Sequence, residues 1–183
     1  MSDTNTFGLS IVADRYALAF MELAEKQDLF DKFDSDLALI KETINANKDL
    51  KDFLEHPLIQ SNDKKEVIDR IFREHISIYT LNLIKLLIDK NRIFILALLA
   101  DHYKALLNKK RNISTAQIIT AIEIDEDTKN RVKEKLERVL SKTIVMETVI
   151  DKEIIAGMIV KIDDKIIDGS IKTKFENMKK QVI

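Results

Sequence analysis

The stretch NKKRNISTAQIITAIEID, residues 108–125, decides the fold, because the spacing of apolar residues changes within it. Residues 108–112 are polar and mostly basic. A period of two then appears, in Ile118, Thr120, Ile122 and Ile124. Such alternation indicates a strand, whereas apolar residues three and four apart indicate a helix. We therefore predict a domain boundary here, between a helical part, residues 1–107, and a strand-containing part, residues 108–183.

Six helices are predicted before this boundary, from apolar residues at helical spacing. These residues lie within 10–26, 28–46, 50–54, 67–72, 81–88 and 93–107. The third helix ends before the only proline, Pro57, which disfavours helical backbone in the preceding residue. Asp63, with Glu66 three residues later, resembles a capping box at the start of the fourth helix. The first part is therefore predicted to be a six-helix bundle.

A small α+β domain is predicted after the boundary. Asp125 is the expected N-cap of a helix, and two further strands are indicated at 143–150 and 158–162. Asp163-Asp164 is expected to turn the chain back into a fourth strand. Asp168-Gly169-Ser170, with Gly169 at positive φ, is expected to cap a last helix that carries Ile171, Phe175, Met178 and Val182. The fold class is thus mainly α, with a C-terminal α+β domain.

The composition argues against several classes of function. The chain has 30 Lys and Arg and 31 Asp and Glu, so its net charge of −1 gives no overall field that attracts nucleic acid. It has no cysteine and only three glycines, too few for a phosphate-binding loop of the Walker or Rossmann kind. The three histidines are far apart, and paired acids lie at helix starts or turns, where carboxylates cap backbone donors. We therefore expect no catalytic residue, no metal site and no cofactor.

The first helix is apolar on two faces. One face carries Ile11, Val12, Tyr16, Ala19, Phe20 and Leu23, and the second carries Ala13, Ala17 and Ala24. A helix of this kind must be covered on two sides, either by its own fold or by a partner. The residues leave both alternatives open: a groove for a partner helix, or deeper burial within the bundle.

Three motifs resemble the F-type ATP synthase delta subunit family, known in mitochondria as the oligomycin-sensitivity-conferring protein. The first is Arg15-Tyr16-Ala17 with Ala19-Phe20, and the second is Asn91-Arg92-Ile93, at the turn between the fifth and sixth helices. The third and most specific runs through Ile150-Asp151-Lys152, Ala156-Gly157 and Asp168-Gly169-Ser170. The resemblance covers essentially the whole chain, although the family often has a second glycine where Ala156 stands.

The resemblance implies a non-catalytic peripheral-stalk subunit of a proton-translocating F-type ATP synthase. Such a subunit links the catalytic alpha/beta head to the b-subunit stalk and resists rotational torque. It is peripheral on the cytoplasmic face of the bacterial plasma membrane, and the longest apolar run here, Ile93–Ala100, is too short to span a bilayer. The alternative is a generic helical interaction scaffold unrelated to ATP synthase.

The resemblance also implies partners and sites. The N-terminal helix of an alpha subunit would lie in a groove between the first and fifth helices. Candidate lining residues, chosen because both helices have more apolar surface than one stripe requires, are Ala13, Tyr16, Ala17, Phe20, Leu83 and Leu87. The second part would meet the C-terminal ends of the b subunits, and its family motif comprises Gly157, Asp168, Gly169 and Ser170.

Overall fold

The computed structural model describes residues 3–154, 156–162, 165–171 and 173, with side chains from residue 8 onward. The chain divides into two compact units, residues 1–107 and residues 108–183. Among the described residues it is mostly helical, with a small four-stranded sheet in the C-terminal unit. This confirms the prediction of a mainly α chain that ends in a small α+β region.

Six α-helices precede the first strand. They are α1 (Asp3–Gln27), α2 (Phe30–Ala46), α3 (Lys48–Glu55), α4 (Ser61–Phe72), α5 (Ile78–Asp89) and α6 (Leu96–Lys110). A 3-10 turn, Ile93–Ile95, leads into α6. Asn91 adopts a left-handed backbone conformation, with φ of 54°, which lets the chain reverse between α5 and that turn.

The start of α4 differs from the prediction. The helix begins at Ser61, and the preceding residue, Gln60, makes no side-chain capping hydrogen bond. Asp63 therefore lies inside the first turn, where its charge favours the positive end of the helix. Glu66 accepts a hydrogen bond from Arg70 at 2.6 Å. The predicted capping box was wrong, because the helix already begins two residues before Asp63.

Buried apolar side chains from all six helices form the core of the first unit. The Phe20 ring of α1 stacks on the Phe33 ring of α2, with 4.2 Å between the centroids, and lies 5.7 Å from the Tyr103 ring of α6. The Tyr103 hydroxyl donates to the Phe30 carbonyl at 3.1 Å. Aromatic pairs of this kind contribute roughly 0.5–1.5 kcal/mol beyond their buried area. They fix the inner side of α1 against two other helices.

A buried carboxylate joins α2 to the start of α5. Asp36 is 1% exposed, and its Oδ2 accepts hydrogen bonds from the Ser77 amide and the Thr80 hydroxyl, both at 2.8 Å. Its Oδ1 lies 2.8 Å from the Lys32 ammonium group. Ser77 is the N-cap of α5 and accepts from the Thr80 amide at 3.1 Å. Asp36 therefore satisfies donors at the positive end of α5 and holds that helix against α2.

The described part of the second unit contains one α-helix and a four-stranded sheet. Its elements are β1 (Ile113–Thr120), α7 (Glu126–Leu140), β2 (Thr143–Ile150), β3 (Met158–Ile162) and β4 (Lys165–Asp168). The strand order is β2-β1-β3-β4, with β1 and β2 parallel and the other two pairs antiparallel. Helix α7 forms the crossover between the parallel strands and packs Leu136 against Ala116, Ile118 and Val160. The sheet therefore has its core on the α7 side.

Asp125 is the N-cap of α7, as predicted. Its carboxylate accepts from the Thr128 amide at 2.6 Å, and this hydrogen bond lowers the pKa of the carboxyl. β1 ends at Thr120, four residues before the predicted alternation ends, and Ile122 is 74% exposed. The prediction of a strand through Ile124 was wrong, because neither β2 nor β3 pairs with β1 beyond Thr120.

A residue with left-handed backbone conformation stands shortly before each of the two parallel strands. Asn112 has φ of 56° and Ser141 has φ of 54°. The Asn112 side chain donates to the Ser141 carbonyl at 2.8 Å, and the Thr143 amide donates to the Asn112 carbonyl at 3.1 Å. This clasp, formed by Asn112 and Ser141, lies directly before the first pair of the register, Ile113 with Thr143.

Gly157, and not Gly169, is the glycine with positive φ, at 91°. A Cβ atom at Gly157 would lie 2.5 Å from the Gly169 carbonyl oxygen and 3.0 Å from the Ser170 Cα. The prediction for Gly169 was wrong, because the tight approach is made by the turn before β3, which packs on the Gly169 backbone. The Gly169 amide donates to the Met158 carbonyl at 2.9 Å.

Asp168 and Ser170 make hydrogen bonds of the kind expected at a helix cap. The Asp168 carboxylate accepts from the Thr173 hydroxyl at 2.7 Å and from the Ser170 amide at 2.8 Å, and these bonds lower its pKa. The Ser170 hydroxyl accepts from the Thr173 amide at 3.3 Å. The Asp163-Asp164 turn and the predicted last helix beyond Thr173 lie outside the described residues.

Candidate partner-binding groove

An open apolar groove of about 400 Å³ lies between α1 and α5. Four residues from each helix line this α1–α5 groove: Tyr16, Ala19, Phe20 and Leu23, and Tyr79, Asn82, Leu83 and Leu86. Each set follows the spacing i, i+3, i+4 and i+7, which places its members on one face of a helix. The groove is therefore bounded by one continuous face of each helix.

The structure separates the six candidate lining residues into two groups. Tyr16, Phe20 and Leu83 line the groove. Ala13, Ala17 and Leu87 have no exposed surface and lie in the core of the first unit instead. The reason is that the alanine face of α1 packs against neighbouring helices, while the Tyr16 face borders the groove. The alanine face is therefore covered by the chain's own fold.

Sequence reasoning missed five lining residues: Ala19, Leu23, Tyr79, Asn82 and Leu86. Ala19 and Leu23 stand on the same predicted stripe as Tyr16, so helical spacing alone was a sufficient signal for them. Tyr79 was missed because α5 was predicted to start near Leu81, whereas it begins at Ile78. Asn82 and Leu86 have no such signal, since α5 is apolar on most of its circumference.

The lining residues differ in what they can offer a partner. Phe20 and Leu83 are 4% and 8% exposed, so they form the floor and have little surface left to bury. Leu86 is 43% exposed, and Ala19 is exposed as well. The small side chain of Ala19 permits close approach of another backbone. Most new burial would therefore come from the sides of the groove.

A hydrogen bond holds α1 near each end of the groove. Tyr16 accepts at its hydroxyl from Arg92 at 3.2 Å, and the guanidinium lies 6.0 Å from the ring centroid. At the other end, the Tyr79 hydroxyl donates to Gln27 at 3.0 Å. Because Arg92 follows α5 and Gln27 ends α1, these two contacts require the helices to run antiparallel. The two N-terminal family motifs thus meet at one end of the groove.

His102 lies in a small polar cluster. His102 contacts Asp14 at 3.2 Å and Ser10 at 3.4 Å, and this cluster ties α6 to α1. Within the described ranges, no group of three or more metal-ligating side chains comes together. None of the described helices has the length and apolar character that crossing a bilayer requires.

A second apolar groove, of about 300 Å³, lies in the second unit between α7 and the sheet. Gly169 of the family motif is one of its lining residues, together with Val132, Leu136, Val139, Met158, Val160 and Ile167. Val139 is 72% exposed and Ile167 is 55% exposed. Exposed apolar side chains grouped around a groove are typical of interaction sites.

Proteins of similar sequence are ATP synthase delta subunits. The chain is 33% identical over 166 residues to ATP synthase subunit delta of Synechococcus elongatus, and this alignment covers 90% of this chain and 92% of that protein. It is 33% identical over 175 residues to ATP synthase subunit delta of Clostridioides difficile, and this alignment covers 95% of this chain and 97% of that protein. The sequence pattern of the family described as ATP synthase delta (OSCP) subunit matches residues 12–182.

A solved structure has the same fold. It is a chain in the cryo-electron microscopy structure of the Toxoplasma gondii mitochondrial ATP synthase hexamer. The TM-score is 0.73 at 17% identity, over 93% of this chain and 96% of that chain. Because the family pattern spans nearly the whole sequence and the relatives are one-third identical over most of their length, this chain belongs to the ATP synthase delta (OSCP) subunit family, the non-catalytic subunits of the peripheral stalk.

Proposed function

We propose that the α1–α5 groove holds the N-terminal helix of an alpha subunit, so that this chain ties the catalytic alpha/beta head to the peripheral stalk. The tie resists the torque of rotation, and the six helices before β1 act as one bundle in doing so. The observation that carries the proposal is the groove itself, in which two helices turn apolar faces toward one open channel. A groove of this kind suits an amphipathic helix, which buries its apolar face there.

The dimensions and side chains of the groove support a helical occupant. Residues at i and i+7 on a helix are about 10 Å apart along the axis, so the lining matches roughly two turns of a partner. Tyr16 and Tyr79, on opposite helices, have partly exposed rings that can contact both sides of it. Truncating a true aromatic anchor typically costs about 2 kcal/mol or more, which is roughly a thirtyfold loss of affinity.

The second unit is proposed to meet the C-terminal ends of the b subunits. The exposed apolar side chains around the groove beside α7, Val139 and Ile167 among them, support this assignment. The assembled complex would hold the chain at the cytoplasmic face of a bacterial plasma membrane. The bacterial origin of relatives such as that from Clostridioides difficile supports that location.

The test is calorimetric titration of the full chain with a synthetic peptide of the alpha-subunit N-terminal helix. Ala19→Glu places a charge inside the groove, and Leu18→Glu places the same charge on the same helix beside it. Both positions are exposed, so both variants should fold, which a thermal melt checks. We expect the Ala19→Glu variant to lose at least about tenfold in affinity, an effect of about 1.4 kcal/mol. We expect the Leu18→Glu variant to bind like the wild type.

Two results would contradict the proposal. Absence of binding by the wild-type chain would mean that the α1–α5 groove does not hold this helix. Equal losses in both variants would mean that the peptide responds to the charge of α1 and does not enter the groove.

A further inference from the structure

Three of the eight lining residues of the α1–α5 groove carry polar side-chain atoms: Tyr16, Tyr79 and Asn82. The two tyrosine hydroxyls are already paired, one with Arg92 and the other with Gln27. Asn82 differs, because within the described part of the chain no hydrogen bond joins its side-chain amide to another group. The amide therefore stands alone among the polar groups of the groove.

The residues around Asn82 on the groove face of α5 are mainly apolar. It lies on α5 one turn after Tyr79 and one turn before Leu86, beside the floor residue Leu83. While the groove is open, Asn82 is exposed and water can satisfy its amide. A helix that fills the groove excludes this water. The amide has one acceptor and two donors, and leaving them buried without partners costs free energy.

We propose that Asn82 sets the axial register and the direction of the helix that binds in the groove, by pairing with one hydrogen-bonding side chain on the apolar face of that helix. This inference rests on the proposed function, since it takes the occupant to be the alpha-subunit helix. The occupant is then an amphipathic helix whose apolar stripe is interrupted once, opposite Asn82. Sliding or reversing it moves the polar side chain away and leaves both groups unpaired.

The same physics operates in coiled coils, where a single polar residue in an apolar seam specifies register at a cost in stability. Apolar contacts at Ala19, Leu23 and Leu86 are much less directional, because apolar burial depends mainly on area. They supply affinity over several similar alignments of the helix. Asn82 is the residue that separates one alignment from the others.

The experiment titrates the full chain with the alpha-subunit N-terminal peptide and with variants of that peptide. In each peptide variant, one polar residue of the apolar face is replaced by leucine. The chains compared are the wild type, Asn82→Leu and the control Asn45→Leu, an exposed asparagine on α2 outside the groove. Thermal melts establish that all three are folded.

With the wild type and the Asn45→Leu control, one peptide variant should bind about tenfold more weakly than the native peptide, which corresponds to about 1.4 kcal/mol. With Asn82→Leu, that same peptide variant should bind at least as tightly as the native peptide. A structural role of Asn82 alone would weaken all peptides by a similar factor and would not reverse this preference.

Register is measured directly by the distance between two spin labels. Because the chain has no cysteine, Glu22→Cys on the exposed side of α1 gives a single labelling position, and the peptide carries the second label. We expect one narrow distance distribution for the wild-type groove and a broader or shifted one with Asn82→Leu. If the wild-type chain binds but neither the preference nor the distance changes, the inference is wrong and the proposed function stands. If the wild-type chain does not bind the peptide, both are wrong.

Discussion

Replacing Asp36 by alanine removes the carboxylate that joins α2 to the start of α5. The change takes the charged acceptor away from the Ser77 amide and from the fully buried Thr80 hydroxyl, which keeps only the Ser77 hydroxyl at 2.8 Å. An unpaired buried donor keeps its desolvation penalty and gains nothing in return. We therefore expect the first unit to lose stability and α5 to lose the contact that positions its N-terminal turn.

The size of the loss can be worked from the contacts. Two hydrogen bonds reach a charged acceptor at 2.8 Å, and such bonds contribute about 1.5–3 kcal/mol each. The Lys32 side chain is 45% exposed, so its ion pair with Asp36 adds less than about 1 kcal/mol. Desolvation of the carboxylate offsets part of the sum. The expected cost is about 3–5 kcal/mol, the range typical of breaking a buried charged network.

Thermal and urea denaturation followed by circular dichroism measure this cost. In a cooperative unit of about 100 residues, such as residues 1–107, the melting temperature should fall by roughly 4–8 °C per kcal/mol. Asp36→Asn keeps a side-chain oxygen and should cost roughly half as much, because its acceptor is neutral. Lys32→Met is the matched control and should cost less than about 1 kcal/mol. A Lys32→Met variant as unstable as Asp36→Ala would refute the reasoning, since the ion pair and not the cap would then dominate.

Three further predictions concern the units and their caps. Gly157→Ala should destabilise the second unit by about 1–3 kcal/mol, because φ at Gly157 is 91° and the new Cβ would meet the Gly169 carbonyl oxygen. The control Gly8→Ala, whose new Cβ meets no other atom, should be neutral or stabilising in the same thermal denaturation experiments. A fragment of residues 1–107 should fold alone and melt cooperatively with a helical spectrum, and a gradual melt would contradict the predicted boundary. The pKa of the Asp125 carboxyl is held below its ordinary value of 3.8, so the stability it adds is present above about pH 4 and is lost as the pH falls through the lowered pKa. Asp125→Asn keeps a capping oxygen that does not titrate, so denaturation between about pH 2 and 5 should depend less on pH, and an unchanged dependence would contradict the cap.

Local signals in the sequence were sufficient for most element types. Strand β2 runs over Thr143–Ile150, the range that period-two alternation indicated. Asp125 caps α7 because a carboxylate before a helical stripe can satisfy the first backbone donors without help from distant residues. Features that depend only on neighbours along the chain can be read from the chain.

Two of the failures involve distant partners, whereas the misplaced start of α4 is a local error. The alternation after Ile118 continues to Ile124, but β1 ends at Thr120, where its pairing with both neighbouring strands ends. The positive φ was assigned to Gly169 from its place between strand and cap, whereas the packing of two remote backbone segments requires it at Gly157. No single-segment pattern carries that information.

The α1–α5 groove was likewise only partly predictable from helical spacing along the chain. Helical spacing indicated that α1 is apolar on two faces, but it did not indicate which face the other helices cover. Ala17 was therefore grouped with Tyr16, although the structure buries Ala17 completely and leaves Tyr16 at the groove. Small residues suit close helix packing in a core as well as at an interface, so their size alone does not decide between the two.

The clasp between Asn112 and Ser141 bears on how quickly the second unit can fold. β1 and β2 are parallel, so the chain segment that joins them must include the whole of α7. Closing such a long loop makes the pairing of the two strands intrinsically slow. A slip of one residue would turn Thr115 and Gln117 toward α7 in place of Ala116 and Ile118. The clasp lies directly before the first strand pair, so once it forms, the remaining pairs can add in order from one end in a single register. We therefore expect the sheet to nucleate at the two left-handed residues, Asn112 and Ser141. Substitutions of these residues should slow refolding more than they change the packing of the folded unit.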